Sequence, residues 1–366
     1  MSIEKNRLFG TLITRLIRKE RLTRQEARQA FSEILNNEVT EMQQGAFLAA
    51  LTAKGETADE VAGSWEAIYE LDTNKVDLGE GIQVVENSGT GMDTFKTFNI
   101  STAASLIASA GGICMARHGA RAITSRCGTV DMAESLGVDV ECPADVVAKS
   151  IETSGIGLFN GMSPKIHPMA LGRILSQISF GSTLNIAASL ANPAMPKVAV
   201  RGVYSKSMIR PVAEVMKAIG FERALVVYGG IDRTDKGMDE ASVCGTTWCS
   251  ELTDNRICEY SFRPEDFNMD CHECSKIAPE SDIANEPKRF VSLIQGRESG
   301  ARKDAVILNA ALLYYVTGRT EKIEDGIGKA AAALEKGLAF NVLESWVKSQ
   351  NREPEVGLKR LETLIS

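Results

Sequence analysis

The chain has 366 residues, of which 44% are hydrophobic and 24% charged, a composition typical of soluble globular proteins with one large or two modest domains. Its formal net charge of −7 argues against a general nucleic-acid-binding role. No apolar run approaches the roughly eighteen residues of a membrane span, and residues 1–7 lack the apolar core of a signal peptide. We therefore expect a cytoplasmic protein with no membrane partner.

The N-terminal region has a helical pattern. A glutamate or glutamine follows a threonine by three residues in three capping boxes, at Thr23, Thr40 and Thr57. Apolar residues recur at helical spacing after these boxes. The pattern predicts a small helical subdomain over residues 1–73, completed by a helical insert near residues 164–189.

A glycine-rich turn follows residues 82–85, an apolar run that indicates a buried strand, and leads into a helix predicted over residues 103–110. The turn reads Asn87-Ser88-Gly89-Thr90-Gly91-Met92-Asp93-Thr94-Phe95-Lys96-Thr97-Phe98-Asn99-Ile100-Ser101-Thr102. Glycines let backbone N–H groups turn toward an anion, and a helix N-terminus adds free N–H groups and partial positive charge. Short hydroxyl and amide side chains add further partners. The segment predicts a cradle for more than one phosphate.

A second loop follows another strand-like run, residues 112–116. It reads Arg117-His118-Gly119-Ala120-Arg121-Ala122-Ile123-Thr124-Ser125-Arg126-Cys127-Gly128-Thr129-Val130-Asp131. Guanidinium groups suit phosphate because they donate two parallel hydrogen bonds. The plain alternative is a solvated basic loop. Two anion-suited loops after two successive strands favour phosphate binding.

A third element is the acidic pair Asp239 and Glu240, which lies beyond the strand-like run 224–228. Magnesium prefers one or two carboxylates together with substrate phosphates and water. Without the two phosphate loops, such a pair would be interpreted as solvated surface. With them, it indicates a magnesium site.

The three segments, in this order and spacing, resemble the anthranilate phosphoribosyltransferase family, which carries GTGGD followed by TFNIST, then KHGNR, then a DE pair. The resemblance extends over residues 8–345. It is strengthened by the following short segments: Asn37-Glu38-Val39, Lys54-Gly55-Glu56-Thr57, Asn192-Pro193-Ala194, Gly202-Val203-Tyr204 and Leu308-Asn309-Ala310. It implies an α/β fold of the nucleoside phosphorylase/phosphoribosyltransferase type, with the small helical subdomain and a large α/β domain over residues 80–350. It also implies a homodimer with the active site in the cleft between the two parts.

The resemblance further implies a reaction and a set of site residues. An amine attacks C1 of 5-phosphoribosyl 1-diphosphate (PRPP) as diphosphate leaves, two Mg²⁺ ions assist, and no acid–base residue is needed. The resemblance implies that Arg117 binds the donor and stabilises the leaving group. The other donor-binding residues that it implies are Gly89, Gly91, Asp93, Thr97, Asn99, Ser101, Thr102 and Thr129. Ser101 would reach one Mg²⁺, and Asp239 and Glu240 the other. Acceptor binding falls to His118, Ala120 and Arg173.

Departures from the family pattern concentrate on the acceptor side. The asparagine of KHGNR is Ala120 here, and the anthranilate-binding arginine falls near Leu175 or Gln177, with Arg173 close but out of register. A Gly-Pro pair becomes Ala188-Ser189. On the donor side, Met92 replaces a glycine, Arg117 a lysine and Thr129 a serine. Losing a charge-assisted hydrogen bond costs about 1.5–3 kcal/mol, so we expect a paralogue with an acceptor other than anthranilate.

Two other functions stay open. A pyrimidine-nucleoside phosphorylase shares the fold, and Cys127-Gly128-Thr129-Val130-Asp131 slightly resembles its glycine-rich motif; the acidic pair argues against it, because a lone phosphate needs no Mg²⁺. A non-catalytic paralogue that binds nucleic acid or protein is the second; the intact donor loop argues against it.

Five of the eight cysteines lie within residues 244–274, and Cys271 and Cys274 have the C-x-x-C spacing of metal sites. A second such pair is missing. Reduced thiols are the main interpretation, and a structural Zn²⁺ at Cys271 and Cys274 or a redox pair are the alternatives.

Overall fold

The computed structural model describes residues 3–121, 127–178 and 180–365, and it begins with four helices. They are α1 (Ile3–Ile17), α2 (Arg24–Leu35), α3 (Glu41–Lys54) and α4 (Ala58–Leu71). The capping boxes predicted at Thr23 and Thr57 are complete, each with reciprocal hydrogen bonds to a glutamate. At Thr40 only half of the box forms, because the Gln43 side-chain amide donates to the Asn6 carbonyl on α1.

A mixed sheet follows. Its strands are β1 (Val84–Gly89), β2 (Cys114–Gly119), β3 (Ile156–Asn160), β4 (Val198–Gly202), β5 (Arg223–Gly230), β6 (Gly237–Met238), β7 (Thr247–Thr253) and β8 (Arg256–Phe262). Within the described ranges these eight strands have the order β3-β2-β1-β4-β5-β7-β8, and β6 pairs with β5. The first five strands are parallel, and the last three pair in antiparallel fashion. The predicted fold class is confirmed.

The remaining helices cover the sheet. They are α5 (Ile100–Ala110), α6 (Thr129–Ser135), α7 (Ala144–Ser154), α8 (Leu171–Ile178), α9 (Leu184–Ala187), α10 (Ile209–Ala218), α11 (Glu286–Ile294), α12 (Ala301–Val316), α13 (Ile323–Glu335), α14 (Leu338–Ser349) and α15 (Pro354–Ile365). No helix in the described part of the chain is long and apolar enough to cross a membrane.

The first strand ends later than the sequence suggests. The prediction put it at residues 82–85, but β1 continues to Gly89, because Glu86 to Gly89 pair residue by residue with β4. Asn87, which the sequence places in the turn, is therefore buried in the strand, where its side-chain amide donates to the Ser101 carbonyl at 3.0 Å. The polar residues of the motif thus begin inside the sheet.

The two larger hydrophobic cores of the described residues lie on opposite faces of the sheet. One joins α5 and α12 to Val200 and Leu225. The other joins the N-terminal helices, α8, α9 and α10 to Ala199 and Val226. The N-terminal helices therefore share a core with one face of the sheet, while the boundaries 1–73, 164–189 and 80–350 stay predictions. Helix α15, beyond residue 350, buries Leu361 in the first core.

Candidate active site

The glycine-rich turn lies at the carboxyl ends of the parallel strands. The order β2-β1-β4 puts a topological switch at β1, because the chain moves to one side for β2 and to the other for β4. An open α/β sheet has a crevice at such a point, just beyond the strand ends, where ligands usually bind. We define the glycine crevice as Gly89 at the end of β1, Gly202 at the end of β4, and Asp239, which lies against both.

Asp239 approaches the two glycines so closely that no other residue fits at either position. A Cβ atom on Gly89 would lie 1.9 Å from Asp239 Oδ2, and one on Gly202 would lie 1.5 Å from the Asp239 carbonyl oxygen. The Gly91 N–H donates to Asp239 Oδ2 at 2.8 Å. Asp239 is therefore held at the switch point by backbone geometry.

The loop between β1 and α5 is fastened to β6 and to the acidic pair. The Gly237 N–H donates to Thr94 Oγ1 at 2.9 Å, and the Phe95 N–H donates to the Gly237 carbonyl at 3.0 Å. Further along, Thr97 Oγ1 donates to Glu240 Oε2 at 3.2 Å. Residues far apart in sequence are thus joined in one polar cluster.

Three carboxylates interact in this cluster. Burial, together with the charge of Asp239, raises the pKa of Asp93 to about 6, although Lys96 Nζ lies 2.6 Å from its carboxylate. Burial raises the pKa of Asp239, and burial with the charges of Asp239 and Asp93 raises the pKa of Glu240 well above its ordinary value. Carboxylates that suppress one another's ionisation are stabilised by a divalent cation. Their oxygen atoms suit Mg²⁺, which takes phosphate and water oxygens beside them.

Arg117 on β2 is buried beneath the start of α5. Its Nη1 donates to Thr102 Oγ1 at 2.6 Å, its Nη2 to Ser101 Oγ at 3.0 Å, and its Nε to the Asn87 carbonyl at 3.3 Å. Burial lowers the pKa of Arg117 to about 10, so the side chain is still charged at neutral pH. The predicted phosphate-binding hydroxyls therefore surround a fixed positive charge, and fully buried Thr102 holds that charge in place.

Ionisable and hydroxyl side chains form a second cluster on the sheet face toward the N-terminal helices. We define the buried polar layer as Glu86, Ser88, His118, Ser189 and Arg201. Arg201 donates from Nη1 to Ser88 Oγ at 2.5 Å and from Nη2 to Ser189 Oγ. The Ser189 carbonyl lies 3.2 Å from His118 Nδ1. The layer thus links β1, β2, β4 and the segment after α9.

Two atoms of the buried polar layer lack partners among the described residues. They are Arg201 Nε and Glu86 Oε2, both buried. The other Glu86 oxygen accepts from Ser88 Oγ at 3.1 Å. Burial raises the pKa of Glu86 to about 7 and lowers that of Arg201. Buried ionisable groups with unused hydrogen-bonding capacity are typical of functional sites.

His118 is joined to His167, and through it to the end of α4. The two Nε2 atoms lie 3.1 Å apart, and His167 Nδ1 lies 2.5 Å from the Asp72 carbonyl. Burial lowers the pKa of His118 to about 3 and lowers that of His167 as well. The Asp72 carboxylate in turn accepts from the N–H groups of Ala170 and Leu171, at 2.9 and 2.8 Å. This chain of contacts ties the N-terminal helices to β2.

The other predicted acceptor residues are not brought together. Ala120 is half-buried just after β2. Arg173 points toward the N-terminal helices, where its Nη1 donates to Gln44 Oε1 at 3.0 Å and its Nη2 to the Ile34 carbonyl at 3.2 Å. These contacts account for the Arg173 side chain without an acceptor and give the predicted role no support.

The second predicted loop is described only in part, because residues 122–126 lie outside the described ranges. Asn99 Nδ2 turns toward this loop and donates to the Gly128 carbonyl at 3.4 Å. Thr129 begins α6 with its methyl group close to Gly119. Arg121 pairs with Glu134 at 2.8 Å, an ion pair that agrees with the plain alternative for that residue.

The predicted zinc alternative finds no support. All eight cysteines are free thiols, with Cys271 exposed and Cys274 half-buried. Between them, His272 Nε2 lies 2.6 Å from Asp304 Oδ2. In the part of the chain that the structure describes, no three His, Cys, Asp or Glu side chains form a group that holds a metal ion unaided.

Sequence reasoning missed Glu86, Arg201 and His167. A signal existed for the first two, because each is a charged residue inside an otherwise apolar strand segment, Val84-Val85-Glu86 and Val198-Ala199-Val200-Arg201. Charged residues are almost never fully buried unless paired, so a lone charge in a buried strand marks a functional candidate. No local pattern indicated that His167 would meet His118.

Comparisons with known proteins show which family the chain is similar to. Residues 81–340 match the glycosyl transferase family a/b domain, and residues 11–71 match the helical bundle domain of the glycosyl transferase family. The chain is 34% identical over 337 residues to an anthranilate phosphoribosyltransferase of Anaeromyxobacter dehalogenans, covering 92% of this chain and 96% of that protein.

Solved structures show the same likeness. The anthranilate phosphoribosyltransferase of Thermus thermophilus superimposes with a TM-score of 0.84 at 29% identity, covering 93% of this chain and 99% of that one. The Saccharomyces cerevisiae enzyme in complex with PRPP and Mg shares the fold with a TM-score of 0.81 at 22% identity, covering 94% of this chain and 98% of that one.

Proposed function

The chain belongs to the anthranilate phosphoribosyltransferase family, and from that premise we propose that it transfers the phosphoribosyl group of PRPP to an aromatic amine, anthranilate or a related compound, in a Mg²⁺-dependent reaction. If the acceptor is anthranilate, the reaction belongs to tryptophan biosynthesis. The observation that carries the proposal is Asp239 held between Gly89 and Gly202, with Glu240 and Asp93 beside it.

In this reaction the protein acts by position and charge. The N–H groups at the start of α5 hold phosphate oxygens, and Arg117 offsets the negative charge that develops on the leaving diphosphate. Asp239 and Glu240, with Ser101, would hold Mg²⁺, which neutralises diphosphate charge when bound. Fixing donor and amine in line supplies the remaining acceleration without a nucleophilic side chain.

The acidic cluster also separates the rival functions. A nucleoside phosphorylase binds a single phosphate and has no use for three carboxylates that repel one another. A paralogue that only binds a partner does not need positions 89 and 202 to lack a Cβ so that Asp239 can approach them. Both rivals therefore predict that Mg²⁺ does not affect ligand binding, whereas phosphoribosyl transfer from PRPP predicts that it does.

We further propose a cytoplasmic homodimer formed by the outer faces of α1 and α3 and the end of α8. Leu8 on α1 and Met42 on α3 are 67% and 85% exposed, and Phe180, just beyond α8, is 43% exposed. Apolar side chains that lie together in one surface patch favour a protein contact. We expect light scattering to give a dimer mass and Met42→Glu to give a monomer. Val356→Glu, on exposed α15, is the control that leaves the mass unchanged.

Calorimetric titration of PRPP with and without Mg²⁺ tests the central proposal, followed by anthranilate turnover. We expect binding that requires Mg²⁺ and is lost in Glu240→Gln, while Asp235→Asn, at an exposed carboxylate on the other side of β6, keeps it. Binding that ignores Mg²⁺ would favour the phosphorylase. Salt-dependent DNA binding without PRPP binding would favour the binding paralogue.

A further inference from the structure

A cavity of about 290 Å³ lies at the start of α12, and its residues have no part in the proposed reaction. We define the α12 cavity by the six polar side chains that line it: His272, Ser275, Lys276, Arg289, Ser299 and Arg302. Three of these side chains are cations, two are hydroxyls, and none of the described residues in the lining is acidic. The volume is about ten times the 30 Å³ that a water molecule takes up in the liquid, which is enough for a small anion and its waters.

The backbone at the start of α12 adds hydrogen-bond donors. Gly300 and Ala301 belong to the lining, and no side chain among the described residues caps the helix at Gly300. The Asp304 N–H donates to the Gly300 carbonyl at 3.0 Å, so the N–H groups of residues 301–303 precede the first helical hydrogen bond and have no acceptor within the helix. A helix of 16 residues also places partial positive charge at this end, which favours an anion.

Arg302 brings a buried donor that the protein itself does not use. The residue is 2% exposed, and its Nη1 and Nη2 donate to Glu286 Oε1 at 2.6 Å and to the Ala278 carbonyl at 2.7 Å. These two contacts fix the guanidinium in the cavity wall. Its Nε is buried without a partner among the described residues. A buried donor left unpaired costs about 1–3 kcal/mol, and an acceptor in the cavity would offset that cost.

The other two cations of the lining are held differently. Arg289 forms ion pairs with Glu280 and Glu298, which both lie outside the lining. Lys276 is exposed and pairs with no carboxylate among the described residues. Donors therefore approach the α12 cavity from the helix start, from the guanidinium groups and from Lys276. A phosphate group, with three strong acceptor oxygens, suits such an arrangement better than a carboxylate, which has two.

The wall of the α12 cavity contacts the donor loop at Phe98, which is buried directly after Thr97. The Phe98 N–H donates to the Ile277 carbonyl at 3.3 Å, in the turn that carries Lys276. The guanidinium carbon of Arg302 lies 4.5 Å from the centre of the Phe98 ring. An anion that holds Arg302 and Lys276 in place also holds Phe98, so anion binding and PRPP binding favour each other.

We propose that the α12 cavity binds a small phosphate-bearing anion and that this anion strengthens PRPP binding through Phe98. The binding site itself is independent of the proposed function, whereas the effect on PRPP rests on it. Inorganic phosphate and a phosphate monoester share the required chemistry, and the experiment separates these two sources.

Nitrogen-15 histidine spectra of the full-length protein test the site, because only His272 of the three histidines lines the cavity. Inorganic phosphate or, in a separate titration, ribose 5-phosphate is added to protein saturated with PRPP and Mg²⁺ and without an acceptor, so that the glycine crevice is already filled. We expect a saturable shift of the His272 resonances, while those of His118 and His167 stay unchanged. Tighter binding of ribose 5-phosphate would assign the site to a monoester, and tighter binding of phosphate would assign it to the free ion.

Lys276→Gln should weaken phosphate binding about tenfold, the loss expected for one hydrogen bond to a charged group. Lys288→Gln, at an exposed lysine of α11 outside the lining, is the matched control and should bind phosphate as the unaltered protein does. A His272 resonance that phosphate does not shift, or equal phosphate affinity in Lys276→Gln and the unaltered protein, would overturn the site.

Calorimetric titrations of PRPP with and without phosphate test the coupling. In phosphate, the unaltered protein should bind PRPP about fivefold more tightly than Lys276→Gln, and without phosphate the two should bind it equally. Competition by phosphate in the glycine crevice would weaken both proteins alike, so equal PRPP affinities in phosphate would overturn the coupling. If the unaltered protein does not bind PRPP at all, the proposed function has failed, and the His272 shift still decides whether the cavity binds phosphate.

Discussion

Around the glycine crevice, the polar groups come from two short segments, residues 89–97 and 237–240, and backbone N–H groups and the glycines at positions 89 and 202 position them. In the buried polar layer, one or two side chains come from each of β1, β2, β4 and the segment after α9, and charge interactions hold them. The crevice therefore depends on close approach, and the layer on the balance of buried charges. Changes that alter volume should damage the first, and changes that alter charge or pH the second.

Gly202→Ala should have the largest effect. Its Cβ would lie 1.5 Å from the Asp239 carbonyl oxygen, and a backbone atom has no cheap way to move. We expect the free energy of unfolding to fall by about 3 kcal/mol or more and PRPP binding to become undetectable. Chemical denaturation and calorimetry measure the two effects.

Two further glycines calibrate that result. At Gly89 the clash is with the Asp239 carboxylate, so Gly89→Ala should lose PRPP binding with a smaller loss of stability. At Gly328, within α13, nothing lies within 4 Å of a new Cβ, so Gly328→Ala should gain about 0.5–1 kcal/mol and bind normally. Normal PRPP binding by Gly202→Ala would contradict the role of close approach.

This contrast also explains what sequence could predict. Gly89, Gly91 and Thr97 lie in one short segment and the acidic pair in another, so these residues could be found as motifs, and the fold class followed from the same segments. The buried polar layer takes its side chains singly from distant segments, and Arg201 and Ser88, for example, are 113 positions apart. No local spacing encodes that meeting. The predicted acceptor role of Arg173 rests on its position beside a motif, and the sequence does not indicate the hydrogen bond that its side chain makes with Gln44.

Glu86→Gln tests charge balance through pH. Burial raises the pKa of Glu86 from 4.5 to about 7. The contribution of protonated Glu86 to the free energy of unfolding is therefore fully present below pH 4.5 and is lost as the pH rises through 7. Over this window the native protein should lose about 3 kcal/mol through Glu86. Glu86→Gln should remove that part of the slope when unfolding is followed from pH 5 to 8.

Glu355→Gln, an exposed carboxylate on α15, provides the comparison and should keep the slope of the unaltered protein. A Glu86→Gln profile parallel to the native one would mean that Glu86 is ionised throughout. The layer would then be held by a fixed ion pair with Arg201 and not by a titrating group.

Arg117→Met tests charge and close contact together, because it removes a buried charge and three hydrogen bonds. The hydroxyls of Ser101 and Thr102 and the Asn87 carbonyl lose their partner. A hydrogen bond to a charged group is worth about 1.5–3 kcal/mol, so we expect PRPP affinity to fall about 10- to 100-fold. Arg117→Lys, which keeps the charge without the fork, should bind with an affinity between those of Arg117→Met and the unaltered protein. An equal loss in both variants would assign the effect to geometry alone.

Met92→Gly should have the smallest effect on stability, and it distinguishes most clearly between an effect on the glycine crevice and an effect on the buried polar layer. Met92 has a φ of 65°, a strained value for a side chain with a Cβ, and its sulfur lies 3.7 Å from Asn185 Nδ2. Glycine relieves about 1 kcal/mol of strain but costs about as much in chain entropy, so the free energy of unfolding should change little. The contact between the crevice loop and α9 disappears, and α9 leads to Ser189 of the buried polar layer. We therefore expect an altered KM for the acceptor with an unchanged Kd for PRPP, whereas a change in PRPP affinity would mean that Met92 shapes the crevice itself.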